Sequence, residues 1–243
     1  LIEMDQKQSL QIGYLFLQQI YYELKLPLIC NAIAKRHAFQ YDMNEILSRL
    51  VYGRILFPAS KLSTYKQASS LFEKSFFSYH DVPRALSVIA EEYDFIQERL
   101  YKYSSEVLHR KTGVLYYDCT NFYFEIEEER GLRRYGKSKE NRPNPIVQMG
   151  LFMDYSGLPL AMTITNGNEN EQKTLLPLEK KILSDFELSN FVVCTDAGLS
   201  SETNRKFNNF SDRFFVTTQS IRKMTKDRQA WCLDTKGWKL PGS

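Results

Sequence analysis

Two short apolar runs, each closing on an aspartate, constrain this chain most. The first is Val114-Leu115-Tyr116-Tyr117-Asp118-Cys119-Thr120, and the second is Phe191-Val192-Val193-Cys194-Thr195-Asp196-Ala197-Gly198. Both are rich in β-branched and aromatic residues on both faces, so each is predicted to be a fully buried strand. In an open α/β sheet, chemistry collects at the carboxyl ends of parallel strands. If the two strands are neighbours, Asp118 and Asp196 meet at one sheet edge. Two carboxylates suit a hard divalent cation such as Mg²⁺, the ion of metal-dependent phosphoryl transfer.

The elements around these runs fall into two classes. Up to about Lys111 the pattern is helical. Asp42-Met43-Asn44-Glu45 matches a capping box, followed by Leu47, Leu50, Val51 and Ile55 on one face, with Pro58 as the stop. Ser60 offers the next N-cap. Asp81, with Pro83 in the first turn, opens what reads as one long amphipathic helix carrying Leu86, Ile89, Tyr93, Ile96, Leu100, Tyr103 and Val107. At roughly seven turns, it needs a helical partner to bury that stripe.

The period changes at Thr112-Gly113. A strand at 114–119 leads into a charged segment. Ile146–Asp154 and Leu158–Thr165 then read as a hairpin about the turn Tyr155-Ser156-Gly157. Thr174 is predicted to cap a helix with Leu175, Leu178, Ile182 and Leu183. The second Asp strand follows, then a helix opening at Ser200 or Ser201, then a strand at 213–217. The order β, β, β, α, β, α, β places the fourth strand parallel to the first, because the crossover helix returns the chain in the same direction.

Composition narrows the function. The chain has 243 residues, 43% hydrophobic and 25% charged, with ample material for one large or two ordinary domains. Three histidines (His37, His80, His109) argue against a His-rich zinc site or a Ser-His-Asp hydrolase. Four scattered cysteines lack metal-ligand spacing and read as reduced thiols of a cytoplasmic protein. No apolar run reaches membrane-spanning length, no secretory signal is visible, and no phosphate-binding Gly loop occurs. Neither a membrane partner nor a nucleotide cofactor is therefore expected.

The net charge of +3 is mild, but the basic residues are clustered. Arg130, Arg133, Arg134, Lys137, Lys139 and Arg142 follow the first Asp run; Arg222, Lys223, Lys226 and Arg228 form a second group. Each is either a solvated face or a polyanion contact, and the neighbouring aspartates favour the polyanion. Lys137, Lys139 and Arg142 are the candidate contacts to that polyanion. The acidic run Glu125, Glu127, Glu128 and Glu129 reads as surface. Trp231 and Trp238 are core residues or base-stacking platforms.

The motifs go further than topology. Tyr117-Asp118-Cys119-Thr120-Asn121-Phe122-Tyr123-Phe124-Glu125 resembles the first catalytic block of DDE transposases of bacterial insertion sequences. Gly136-Lys137-Ser138-Lys139-Glu140-Asn141-Arg142-Pro143 resembles their basic segment. Gly167-Asn168-Glu169-Asn170-Glu171 is similar to the stretch before the crossover helix, and Cys194-Thr195-Asp196-Ala197-Gly198-Leu199 to the second catalytic block. Arg54 to Leu62 resembles the family's N-terminal helical region. Together these place the chain in the insertion-sequence-4-like group.

That resemblance implies a ribonuclease-H-like mixed α/β core preceded by an all-α N-terminal domain. It implies cut-and-paste DNA transposition, with strand cleavage and strand transfer at element ends. Asp118 would bridge two Mg²⁺ ions, Mn²⁺ substituting, and Asp196 would ligand one. The partners implied are double-stranded DNA, as element ends and target, and a second copy of the chain on DNA, in a bacterial, nucleoid-associated setting. The expected divisions are 1–111 for the helical domain, serving end binding or dimerisation, 112–217 for the catalytic core, and 218–243 for the start of an inserted region. The family's third acid, a Glu on a later helix, has no matching signature before Ser243. The chain is therefore expected to be truncated and catalytically incomplete by itself. The alternatives are a non-catalytic DNA-binding remnant and a metal-dependent nuclease on the same fold.

Overall fold

The computed structural model describes residues 9–210 and 213–236. It divides into two compact units, with the boundary after Arg110.

The first unit is helical: α1 (Tyr14–Glu23), α2 (Leu26–Ala34), α3 (Met43–Leu56), α4 (Lys61–Ala68), α5 (Asp81–Glu91) and α6 (Tyr93–Val107). Asp42 caps α3 by accepting the Glu45 N–H, and Ser60 caps α4 by accepting that of Ser63. The interior is built on Tyr14, Tyr21, Tyr52 and Leu71 and on Ile29, Cys30, Ile33 and Met43. The deepest apolar side chains of α3 are Met43, Ile46 and Tyr52; Leu47, Leu50 and Val51 are half-buried, and Ile55 is exposed. Three residues of the expected stripe still pack inward, Leu47 and Val51 against the cluster of Tyr14, Tyr21 and Tyr52 and Leu50 against Ile46, Val82 and Ala85, while Ile55 turns to solvent.

The expected long helix is broken in two at Glu92. Glu92 leaves helical geometry, with φ −97° and ψ 10°. Its carboxylate receives the Arg36 guanidinium and lies 2.8 Å from His37 Nε2, which holds the break. Arg36 and His37 follow α2, and α2 supplies the partner that the stripe requires. Phe95, Ile96, Leu100 and Tyr103 pack on its Ile29, Cys30 and Ile33.

The second unit contains β1 (Val114–Tyr123), β2 (Ile146–Asp154), β3 (Pro159–Asn166), α7 (Glu171–Asp185), β4 (Val192–Thr195), α8 (Glu202–Phe207), β5 (Phe214–Thr217), a 3₁₀ turn (Ile221–Lys223) and α9 (Lys226–Leu233). The five strands form one sheet in the order β3-β2-β1-β4-β5. β1, β2 and β3 are antiparallel neighbours, and β4 and β5 run parallel to β1. This is the ribonuclease-H-like order. The segment from 218 to 236 contains only the 3₁₀ turn and α9 among its described elements.

Three local expectations change. β1 is not buried on both faces. Leu115, Tyr117, Cys119 and Asn121 are buried, while Tyr116, Asp118 and Phe122 are exposed. β1 also runs on past Cys119 to Tyr123, because β2 pairs with it over the whole length, Asp118 standing opposite Leu151. Thr174 is not a cap. Asn170 caps α7 by accepting the Gln172 N–H, and Thr174 lies buried inside the helix. An Asx side chain one residue ahead of the helix reaches that orphan donor from outside it, so the helix starts a turn earlier than expected. By contrast Ser201 caps α8, accepting the Asn204 N–H.

Candidate active site

The register between β1 and β4 sets the two apolar runs that lead to the aspartates side by side. Val114, Leu115 and Tyr116 stand opposite Val192, Val193 and Cys194. Each aspartate lies two residues past the last of these pairs. Side chains alternate along a strand, so Asp118 falls on the exposed face of Tyr116, and Asp196 falls on the face of Cys194. The parallel ladder ends at the Tyr116–Cys194 pair, and Asp196 lies just beyond the end of β4, where the chain turns. Asp118 is thus in the middle of β1 yet just past the end of the parallel ladder. β2 continues alongside β1 while β4 stops at Thr195.

Both carboxylates point to solvent and are half engaged. Asp118 Oδ1 accepts the Cys119 N–H at 2.8 Å. Asp196 Oδ1 accepts the Leu199 N–H at 3.1 Å, closing the turn that leaves β4. The Oδ2 atoms have no hydrogen-bond donor among the described residues. A Cβ at Gly198 would lie 3.3 Å from Asp196 Oδ1 and 3.5 Å from Oδ2, so the glycine keeps that carboxylate uncrowded. Thr217, at the end of β5, donates its hydroxyl to the Asp196 carbonyl at 3.1 Å.

Beneath Asp118 lies a buried polar contact. The Tyr117 hydroxyl is 2.6 Å from Thr174 Oγ1, and Cys119 Sγ is 3.4 Å from the same hydroxyl. Burial pushes both the Tyr117 phenol and the Cys119 thiol up, so both stay neutral. This contact ties β1 to α7. It needs Gly150 on β2, where a Cβ would come within 2.1 Å of the Tyr117 hydroxyl oxygen.

The basic segment is brought to the same place. Arg134 pairs backbone to backbone with Ile146 at the start of β2. Gly136 passes so close to Gly167 that a Cβ would lie 2.0 Å from the Gly167 carbonyl oxygen. Buried Asn121 then holds the segment at two points: its Nδ2 donates to the Lys137 carbonyl at 3.3 Å, and its Oδ1 accepts the Lys139 N–H at 3.1 Å. The outcome is that Lys139 reaches the Cys119 carbonyl and stands 3.9 Å from Asp118 Oδ1. Lys137 is exposed, with no carboxylate in ion-pair range among the described residues. Arg142 is exposed as well, over the Tyr123 ring at 4.9 Å and 3.8 Å from Glu140.

Of the expected site residues, Asp118 and Lys139 come within 3.9 Å of each other, and Asp196 follows the strand that pairs in parallel with β1. Lys137 and Arg142 sit along the same segment. Glu125, Glu127, Glu128 and Glu129 lie exposed on the surface, Glu129 holding the Tyr135 N–H and Arg134. Trp231 is 79% exposed on α9, so it is not a core residue; Trp238 lies outside the described residues. Sequence reasoning missed Asn204 and Gln172. Asn204 donates to the carbonyls of Leu199 and Gln172, and Gln172 donates to that of Gly198. Their one signal was position: Asn204 falls eight residues after Asp196 in the first turn of a capped helix.

The pair fits a divalent cation. Its donors are hard oxygens on exposed side chains, each carboxylate with one oxygen uncommitted among the described residues. No group of three metal-ligating His, Cys, Asp or Glu occurs among the described residues. No described helix is long and apolar enough to cross a membrane.

No family model and no curated protein matches the chain. Among solved structures, it is similar to the piggyBac transposase in a synaptic complex with hairpin DNA, at 10% identity and a TM-score of 0.41. That match covers 91% of this chain and 52% of the piggyBac chain, so the chain spans about half of that protein's length. It is also similar to the Mos1 transposase in a paired-end complex with the left transposon end, at 11% identity and a TM-score of 0.31, over 84% of this chain and 74% of that one. A Mos1 mariner paired-end complex with Mn matches at 12% identity and a TM-score of 0.31, over 76% and 62%.

Proposed function

We propose that the chain carries the paired-aspartate half of a DDE transposase site of the insertion-sequence-4-like group, acting on double-stranded DNA. The observation that carries this reading is the parallel pairing of Tyr116 with Cys194, each two residues before an aspartate, with the Lys139 ammonium 3.9 Å from Asp118. The transposase-like motifs fall on these elements and on the loops that hold them.

Asp118 and Asp196 would hold Mg²⁺ or Mn²⁺, which activates an attacking oxygen and stabilises the leaving one in phosphoryl transfer. The residues of the chain do the rest. Cys119 N–H and Leu199 N–H orient the two carboxylates, leaving each Oδ2 outward. Lys139 offsets their negative charge at the point where a phosphodiester would approach. Lys137 and Arg142 extend the positive surface along the segment that Asn121 anchors. Contacts of this kind fix the position of the DNA without reading its bases. The cut-and-paste outcome, and pairing of two copies on DNA, complete the reading. The helical unit would serve end binding or dimer formation.

The test is Mn²⁺-dependent nicking of duplex DNA bearing the sequences that flank the coding frame. It should be run with this chain and with longer chains read from the same frame, each beside Asp118→Asn and Asp196→Asn. Nicking lost in both variants is expected. Nicking that survives either variant, or that is absent at every chain length, overturns the reading.

A further inference from the structure

The turn that bears Asp196 owes its shape to residues outside both aspartate runs. Residues 196–199 leave β4 with no strand neighbour of their own, and among the described residues Asp196 Oδ1 is held by the Leu199 N–H. Leu199 is held in turn from the start of α8, its carbonyl accepting from the Ser201 N–H at 3.1 Å and from the Asn204 side chain. This side chain is buried at 5% exposure, and its amide nitrogen is fully used: it donates to the Leu199 carbonyl at 2.9 Å and to the Gln172 carbonyl at 3.0 Å. One amide group therefore joins the Asp196 turn to the first turn of α7. Gln172 adds a second tie from the surface, its Nε2 donating to the Gly198 carbonyl at 2.8 Å. Asn204 is itself held, since its N–H donates to Ser201 Oγ at 3.1 Å and its carbonyl accepts from buried Asn208 at 3.2 Å.

We infer that Asn204 is a positioning residue for Asp196, locking the 196–199 turn against α7 so that the carboxylate is held in one orientation at the end of β4. The inference deepens the metal-dependent reading above and rests on it for its consequence. Asn204 touches neither reacting atoms nor metal. It acts through Leu199, whose amide orients the carboxylate. Partners that orient a metal ligand through a hydrogen bond commonly affect metal affinity by roughly 10- to 100-fold.

The test compares the chain with Asn204→Ala and Gln172→Ala by amide hydrogen exchange and by Mn²⁺ titration. With Asn204→Ala, the Leu199 amide is expected to exchange at least about 10-fold faster, while the Cys119 amide in β1 is unchanged. Mn²⁺ affinity should fall by about 10-fold. Gln172→Ala lies near the surface, leaves no buried hole and should show the same pattern more weakly. It decides the matter if Asn204→Ala does not fold. Unchanged Leu199 exchange in these variants overturns the inference. So does a general acceleration in which Cys119 and Leu199 speed up together, since that is the mark of a merely structural role. Absence of Mn²⁺ binding by the parent chain contradicts the metal-dependent reading instead, and Leu199 exchange still decides the role of Asn204.

Discussion

Lys139 lays its ammonium on the carbonyl of Cys119 and stands 3.9 Å from the carboxylate of Asp118, which precedes it by 21 positions in the sequence.

 The contact brings a cation to a carboxylate that would otherwise stand alone on the exposed face of β1. Both side chains are partly exposed, so the pair contributes only about 0–1 kcal/mol to stability.

Lys139→Ala should therefore leave thermal unfolding nearly unchanged while weakening DNA binding. The plot of log affinity against log salt should lose about one unit of slope, as for the removal of one phosphate contact. Fluorescence anisotropy on a labelled duplex at several salt concentrations measures it. An unchanged slope would remove Lys139 from the DNA contact.

Asn121 predicts a different effect on the same segment. Asn121→Ala removes both ties to the Lys137 carbonyl and the Lys139 N–H. The backbone there should loosen without loss of charge. Limited trypsin digestion should cut faster after Lys137 and Lys139, with the other early cleavage sites unaffected.

Gly150 and Tyr117 should be coupled. A Cβ at Gly150 would lie 2.1 Å from the Tyr117 hydroxyl oxygen and 2.9 Å from the ring carbon that bears it. Gly150→Ala should destabilise by roughly 1–3 kcal/mol, the usual cost of overpacking. Tyr117→Phe removes the oxygen but not the ring, and by itself loses the Thr174 contact at about 1 kcal/mol. The double variant should recover part, not all, of the Gly150→Ala loss. Denaturant unfolding of the four proteins gives the coupling.

Glu179 gives a pH dependence. It is fully buried in α7, accepts from Asn208 Nδ2 at 2.9 Å, and desolvation pushes its carboxyl up to about 7. In the unfolded chain it ionises near pH 4.3. Between these values the unfolded chain has released a proton that the folded chain keeps, so stability from this group is full below about pH 4 and falls as pH rises towards 7. Glu179→Gln should remove that slope. The difference between the two proteins should grow in favour of the variant from about pH 4.3 to 7, then level off, reaching on the order of 4 kcal/mol at most. Urea unfolding across that range measures it, and parallel curves would contradict the assignment.

The strands were legible in the sequence because apolar runs and turn residues mark them directly. Ile146–Asp154 was read with its observed bounds, and the order of elements placed β4 beside β1. What was not legible depends on contacts between distant residues. The break at Glu92 is held by Arg36 and His37, more than fifty positions away, and the local pattern there continues as a helix. The extension of β1 past Cys119 is set by its antiparallel partner, not by its own composition, which turns polar at Thr120 and Asn121. At the site, the aspartates were visible because they end apolar runs. Asn204 was hidden because a polar residue in the first turn of a helix looks ordinary until its carbonyl partners are known.

The most direct test of the paired-aspartate site is Mn²⁺ binding to the chain, followed by electron paramagnetic resonance of the free ion. Asp118→Asn and Asp196→Asn should each weaken binding strongly while leaving the fold intact, since both side chains are exposed, and Glu202→Gln, on the surface of α8, should leave it unchanged. Equal Mn²⁺ binding by the parent chain and both aspartate variants would show that these two carboxylates do not form a metal site.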